Sequence, residues 1–280
     1  MRRRSTRLVS RPLDALAQIE GWPAEHASAG VVRADETWTH GPTTREFRWA
    51  SVTKSLSALA TLVAAEEGIV DLDEGAGPEG ATVRHLLAHA SGLPFEGERP
   101  IARPGQRRIY SNTGFEVLAA LVAERAEMSF ADYLGAAVLE PLGMTRTELR
   151  GSAASELFGP LDDLLAAARE LLAPQLIAPE TLAEATAVAF PGLAGILPDF
   201  GRYDPNDWGL GFELRNAKSP HWTGAANSER TFGHFGGSGA FIWVDLQAGA
   251  ACACLTDLEF GTWAKEAWPR LSDAVLAELR

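Results

Sequence analysis

At 280 residues the chain is long enough for one large domain or two interleaved ones, with ample material for a buried core. Hydrophobic residues make up 46% and charged residues 22%, and the 27 glycines and 16 prolines follow no period, which excludes wholesale disorder and fibrous or low-complexity architectures. A net charge of −12 argues against a nucleic-acid binder, which needs clustered Lys and Arg, and fits a small neutral or weakly charged partner.

The chain opens on Met1, Arg2, Arg3 and Arg4, but Arg11, Asp14, Gln18 and Glu20 interrupt any apolar continuation. A solvated basic tail ahead of an amphipathic helix near 12–20 is predicted, with no export signal and a cytoplasmic location. No stretch reaches the roughly 18 apolar residues that a membrane span requires. Residues 27–33 and 37–40 alternate around the polar tip Ala34, Asp35 and Glu36, the pattern of a strand hairpin. A short run at 46–50 leads into a helix over 51–67, the most apolar of the chain, which stops at Gly68.

From 71 to 198 the periodicity is almost entirely helical, with helices predicted at 83–90, 113–126, 130–139, 154–172 and 179–186. Strand patterns return at 209–215, 231–235, 240–246 and 250–255, and a helix over 263–279 closes the chain. Cys252 and Cys254 fall on one face of the last strand, a poor geometry for bridging each other. The expected fold is α+β: an antiparallel sheet built from 1–70 and 199–280, flanked by terminal helices, with an all-helical subdomain, 71–198, inserted into it as part of one catalytic unit.

Several motifs fail on context. The glycines at 75, 77 and 80 match GxGxxG, yet no strand precedes them, so no dinucleotide site is expected. His85 and His89 have the spacing of a zinc pair, but Leu86 stands where a metalloprotease has its glutamate and no third ligand is apparent. Helical packing for His85 and a helix C-terminus for His89 are the better readings. The run 236–240 nearly matches a nucleophile elbow, but a strand follows Ser238 where a helix is needed. No cofactor and no metal are expected.

Three motifs survive together. Ser51 and Lys54 stand one helical turn apart at the start of the apolar helix, giving a hydroxyl with an amine on the same face. The amine becomes a proton acceptor if burial depresses its pKa. An N-cap serine with a surface lysine is the bland alternative. Lysine usage argues against it: only Lys54, Lys218 and Lys265 occur among 25 basic residues, and arginine, the usual surface cation here, does not lose its proton. Tyr110 and Asn112 lie on a loop ahead of a helix, where a phenol and a carboxamide can point the same way. His234, Phe235 and Gly236 lie at a strand edge followed by Gly237, where a backbone approaches a ligand closely. A half-buried tyrosine beside a helix cap and a core histidine are the respective alternatives.

The set resembles the serine β-lactamase and penicillin-binding-protein superfamily, most closely its class C-like branch of esterases, D-aminopeptidases and DD-peptidases. The resemblance is carried by 47–54, 86–93, 110–114, 141–144 and 233–239, nearly the whole chain. It implies a β-lactamase/transpeptidase-like fold, acylation of Ser51, general-base and general-acid work shared by Lys54 and Tyr110, and Asn112 orienting Lys54 and the substrate. His234 and Gly236 would stand in the third motif, and the backbone N–H groups of Ser51 and Gly237 would form the oxyanion hole.

That motif is often Lys-Thr-Gly in the family, and His234 departs from it. A histidine of ordinary pKa is mostly neutral above about pH 7, so a substrate carboxylate is expected to bind better only as the pH falls toward about 6. The implied function is hydrolysis of small esters with weak or no β-lactamase activity. An amidase, DD-peptidase or β-lactamase, or a non-catalytic binding protein on the same fold, are the alternatives. The partner is a small ester or amide, and the oligomeric state is left open. Trp208, Phe235 and the segment 198–207 are expected beside the third motif.

Overall fold

The structure is a computed structural model that describes residues 12–280, so the basic tail lies outside the described residues. Six antiparallel strands form the central sheet: β1 Ala27–Arg33, β2 Glu36–His40, β8 Glu213–Leu214, β9 Thr231–Gly236, β10 Ala240–Asp245 and β11 Ala250–Thr256. Their order is β2-β1-β11-β10-β9-β8. The two ends of the chain meet at the centre, where β1 pairs with β11 from Ala27 opposite Thr256 to Val32 opposite Ala251. The expected α+β fold with one sheet built from both termini is what forms.

Strand alternation sorts the side chains onto two apolar faces. Val31, Phe241, Trp243, Cys252 and Cys254 pack against a 3-10 helix, Asp14–Gly21, and the terminal helix α7, Thr262–Glu278. The two cysteines are buried free thiols on that face. Val32, Ile242, Val244, Ala251 and Ala253 face the opposite way, onto α1 (Thr53–Glu66) and α5 (Leu161–Leu172). Gly30 lets α5 pack closely there: a Cβ would stand 2.6 Å from Leu165 Cδ1 and make that side chain shift. Every residue of α1 from Thr53 to Ala64 is buried, which is why small and apolar residues surround the one charged side chain of that stretch, Lys54.

The remaining elements are β3 Phe47–Arg48, α2 Val83–Leu87, α3 Asn112–Ala126, α4 Phe130–Leu134 followed by a π-helical turn, β4 Glu148–Leu149, β5 Leu157–Gly159, α6 Pro179–Ala185, β6 Gly195–Leu197 and β7 Gly201–Tyr203. The stretch 71–198 thus holds five α-helices, but long loops join them and it also holds β4, β5 and β6, so fewer than half of its residues are helical. The helix expected over 154–172 starts only at Leu161, after Pro160; Leu157–Gly159 instead forms β5, pairing with β3 and β4. Leu157, Leu161 and Leu164 keep a helix-like apolar spacing across a proline, and that spacing hid the break. Likewise 209–215 supplies only a two-residue strand, because Gly211, at φ +88°, turns the chain against α1, where a Cβ would collide with that of Ala58. No helix of the described residues is long and apolar enough to cross a membrane.

Candidate active site

The nucleophile candidate sits on a constrained turn. A 3-10 turn, Ala50–Val52, joins β3 to α1, and Ala50 holds a left-handed φ of 45° immediately before Ser51. The turn is fixed by Trp49, whose backbone N–H donates to Leu157 O (2.9 Å) and whose indole N–H donates to Gly159 O (3.0 Å). Gly236 of β9 lies against it so closely that a Cβ would stand 2.4 Å from Trp49 O and 3.1 Å from Ser51 N. Glycine here sets the distance between the third motif and the serine. Gly236→Ala is expected to push the strand away from Ser51 and lower kcat by about a hundredfold while the protein still folds, as steady-state kinetics and circular dichroism would show.

Lys54, fully buried in α1, carries its amine to the same place. Nζ is 2.6 Å from Asn112 Oδ1, 2.9 Å from Ala154 O and 3.4 Å from Ser51 Oγ. Burial pushes its pKa down to about 7, with the Glu116 charge opposing the fall. A neutral amine has two N–H donors and one lone pair. Nζ donates to Asn112 and Ala154, and its third direction, toward Ser51 Oγ, carries a donor in the protonated amine and the lone pair in the neutral one.

Tyr110 closes the site from the other side. Its hydroxyl is hydrogen-bonded to the Ser51 side chain, and Lys54 Nζ lies 4.8 Å from its ring centre. Desolvation pushes the phenol above its ordinary pKa, against the pull of that bond, so Tyr110 keeps its proton at neutral pH. Asn112 opens α3, and the cap of that helix is Ser111: its hydroxyl accepts from Gly114 N and donates to Pro94 O. With that work done by Ser111, the Asn112 carboxamide is free to hold Lys54.

His234 is buried on β9, 5.9 Å from the Tyr110 ring and 5.5 Å from the Trp208 ring. Its Nδ1–H donates to Phe235 O at 2.8 Å, which places the proton on Nδ1 and leaves Nε2 as a buried acceptor without a protein partner. Burial, reinforced by the nearby Lys54 charge, pushes its pKa down to about 3. The expected protonation near pH 6 is therefore corrected: the sheet interior keeps this imidazole neutral across the physiological range.

Ser51, Tyr110, Trp208, His234, Phe235 and Gly237 line one cavity of 170 Å³, with Phe95, the Leu197–Asp199 segment and the buried Glu213, which is ion-paired with Lys218, as its other walls. The structure thus brings together Ser51, Lys54, Tyr110, Asn112, His234, Gly236 and Gly237 from a turn, two helices, a loop and a strand. It also adds groups that the sequence reading missed. The Ala154 carbonyl that holds Lys54 has no side-chain signature.

His89 was assigned to a helix end, but α2 stops at Leu87 and His89, at φ 55°, packs its ring 4.6 Å from both Tyr110 and Trp208. Its Nδ1 accepts from Ser111 N at 3.1 Å, tying the Tyr110 loop to the sequence that follows α2. The adjacent Gly92, whose Cβ would collide with Ala102 O, was the available signal of a close-packed loop there. His85 is no metal ligand in this arrangement: its Nδ1 caps α2 through Thr82.

Comparison with known proteins gives the family and the fold. A beta-lactamase from Mycobacterium bovis is 53% identical, with a TM-score of 0.94 over 95% of this chain and 99% of that one. EstCE1, a hydrolase with promiscuous acyltransferase activity, shares the fold at 16% identity, with a TM-score of 0.78 over 94% of this chain and 99% of that one. Penicillin-binding protein 4* of Bacillus subtilis is 29% identical over 136 residues, which is 37% of this chain and only 30% of that protein. The sequence profile of the beta-lactamase family matches residues 19–276, nearly all of the described chain, and the chain belongs to that family, within the serine β-lactamase and penicillin-binding-protein superfamily.

Proposed function

We propose that this chain is a serine hydrolase that cleaves small esters, with no anion required beside the scissile carbonyl, through an acyl-enzyme on Ser51. The observation that carries the reading is the hydrogen-bond arithmetic at Lys54: both donors of a neutral amine are taken by Asn112 and Ala154, and the lone pair is left for Ser51 Oγ. Environments that push the two titratable groups apart support a division of labour. Lys54, near 7, is the base, and Tyr110, held protonated, is the acid.

In acylation the Ser51 proton passes to Lys54 Nζ as Oγ bonds to the ester carbon. The carbonyl oxygen takes up the negative charge between the N–H groups of Ser51 and Gly237, each such donor being commonly worth about 3 kcal/mol. The carbon–oxygen bond to the alcohol then breaks, and the alcohol leaves with the Tyr110 proton, which Lys54 replaces. In deacylation water gives its proton to Lys54, its oxygen bonds to the acyl carbon, and Ser51 Oγ leaves with the returned proton.

His234 bears on substrate choice. A neutral acceptor in the third motif offers a carboxylate next to the scissile carbonyl no cation, which supports neutral esters and weak turnover of β-lactams, despite the name of the M. bovis relative. For a matched pair of short neutral and anionic esters, His234 is expected to add no pH dependence to KM between about pH 5 and 8, since it does not titrate there, and any step in the profile is that of Lys54 near 7. His234→Lys should lower KM for the anionic ester alone. Initial rates against pH on both proteins test this; a wild-type anionic-ester KM with a further step below the Lys54 midpoint, lost in His234→Lys, would contradict it. Comparison with nitrocefin and a D-alanyl amide in the same assay tests the preference for esters.

A further inference from the structure

The catalytic cavity is too small to hold a whole substrate: its 170 Å³ lies below the range of about 300–1,000 Å³ in which small-molecule sites fall. The side chains of Phe95, Tyr110 and Pro198 line both this cavity and a neighbouring groove of 510 Å³. The groove has an unusual composition for this surface. Phe95, Ile101 and Ile196, which are 50%, 55% and 63% exposed, all line it, and among the described residues Met128 is the one other large hydrophobic side chain left so open. Apolar surface gathered in one place beside a catalytic cavity, rather than scattered, marks a site that a ligand covers.

The charge of the groove is also opposite to that of the molecule. The chain carries 37 acidic and 25 basic residues, yet three arginines and no carboxylate line this groove. Arg108 is spent on the fold, its guanidinium donating to the carbonyls of Asn206, Ala88 and Ala189. Among the described residues Arg107, which is exposed, donates to Ile101 O and has no acidic partner, and Arg202 has only a 3.4 Å contact with the equally exposed Asp204. Two guanidinium groups therefore stand at an apolar groove with most of their hydrogen-bonding capacity unspent.

Resting on the ester-hydrolase reading, we propose that this groove binds an extended apolar arm of the substrate that ends in an anionic group, a carboxylate or a phosphate, held by Arg107 and Arg202. The anion is accepted at the far end of the arm and not beside the scissile carbonyl, where His234 offers it nothing. The hairpin β6–β7 supplies Ile196 and Arg202, and it is held down by Gly195, where a Cβ would stand 2.5 Å from both Arg108 Cβ and Arg108 O.

The test is hydrolysis of the p-nitrophenyl monoesters of succinic and suberic acids, each against its neutral butanoate or octanoate partner. The suberate ester is expected to exceed octanoate about tenfold in kcat/KM, with no such gain for succinate over butanoate. The preference should shrink as salt is raised, because the guanidinium groups are exposed. An Arg107→Gln/Arg202→Gln variant should bring the suberate-to-octanoate ratio near one, and Ile196→Asp should lower the rate of both long esters relative to butanoate. Acetate esters of ω-hydroxyalkanoic acids, which carry the same arm on the alcohol, tell which side of the ester enters the groove.

Independently of turnover, Ser51→Ala protein titrated calorimetrically with monomethyl suberate should bind it more tightly than methyl octanoate, and the double arginine variant should abolish the difference. Arginine-dependent binding without ester turnover would support the groove and sink the hydrolase reading. Turnover of short esters with equal suberate and octanoate values in both assays would overturn the groove proposal and leave the hydrolase reading intact.

Discussion

Replacing Ser51 with alanine is expected to lower ester turnover by at least about a thousandfold, an increase of about 4 kcal/mol in the activation free energy. The fold should survive, because Ser51 is only half-buried and the turn that carries it is fixed by Trp49 and Gly236 rather than by the serine hydroxyl. The effect is large because the hydroxyl forms the bond that defines the intermediate, whereas the oxyanion donors and the cavity walls remain and leave a small residual rate. Steady-state kinetics on purified wild type and variant, with thermal unfolding as the control, check it. A variant with more than about a tenth of the wild-type activity would remove Ser51 from the mechanism.

Lys54→Arg is expected to be nearly as damaging as Lys54→Ala. An arginine in that place keeps the positive charge and the donors for Asn112 and Ala154, but it cannot release a proton at any working pH. If Lys54 merely held Asn112 and the Ala154 carbonyl in place, arginine would preserve much of the function and alanine would not. The wild-type profile follows from the depressed pKa: the amine is protonated and inactive as a base below about pH 7 and becomes free above it, so kcat/KM rises through that value. Because Lys54, Tyr110 and Ser51 are linked by hydrogen bonds, the midpoint belongs to the site as a whole. Rates of both variants and of the wild type from acid to mild alkali give both results.

Much of this site was legible in the sequence because its chemistry depends on side chains at fixed local spacings. Ser51 and Lys54 fall on one helix face whatever surrounds them, and the scarcity of lysine made Lys54 conspicuous. The late strands were legible for a different reason, since 240–246 and 250–255 are short, largely apolar runs of strand length and glycine turns bound them. What could not be read depends on contacts between distant segments. The Ala154 carbonyl that fixes Lys54 is backbone from a stretch whose apolar spacing imitated a helix. The neutrality of His234 comes from burial in the sheet and from the carbonyl of its own neighbour, neither of which is visible in the triplet His234, Phe235 and Gly236. His89 was read by its position in a helix that ends two residues earlier, and its place against Tyr110 and Trp208 follows from the left-handed turn after that helix.

The central claim, that Ser51 is a nucleophile activated by a neutral Lys54, is tested most directly by the rate at which a neutral fluorophosphonate labels the protein as a function of pH, with the adduct mapped by peptide mass spectrometry. Labelling needs no knowledge of the natural substrate and reads the nucleophile and its base in one experiment. The adduct should fall on Ser51, and its rate should climb with pH to a plateau with a midpoint around 7, the pKa to which burial brings Lys54. An adduct on another residue, or a rate at Ser51 that does not change from acid to mild alkali, would contradict the account.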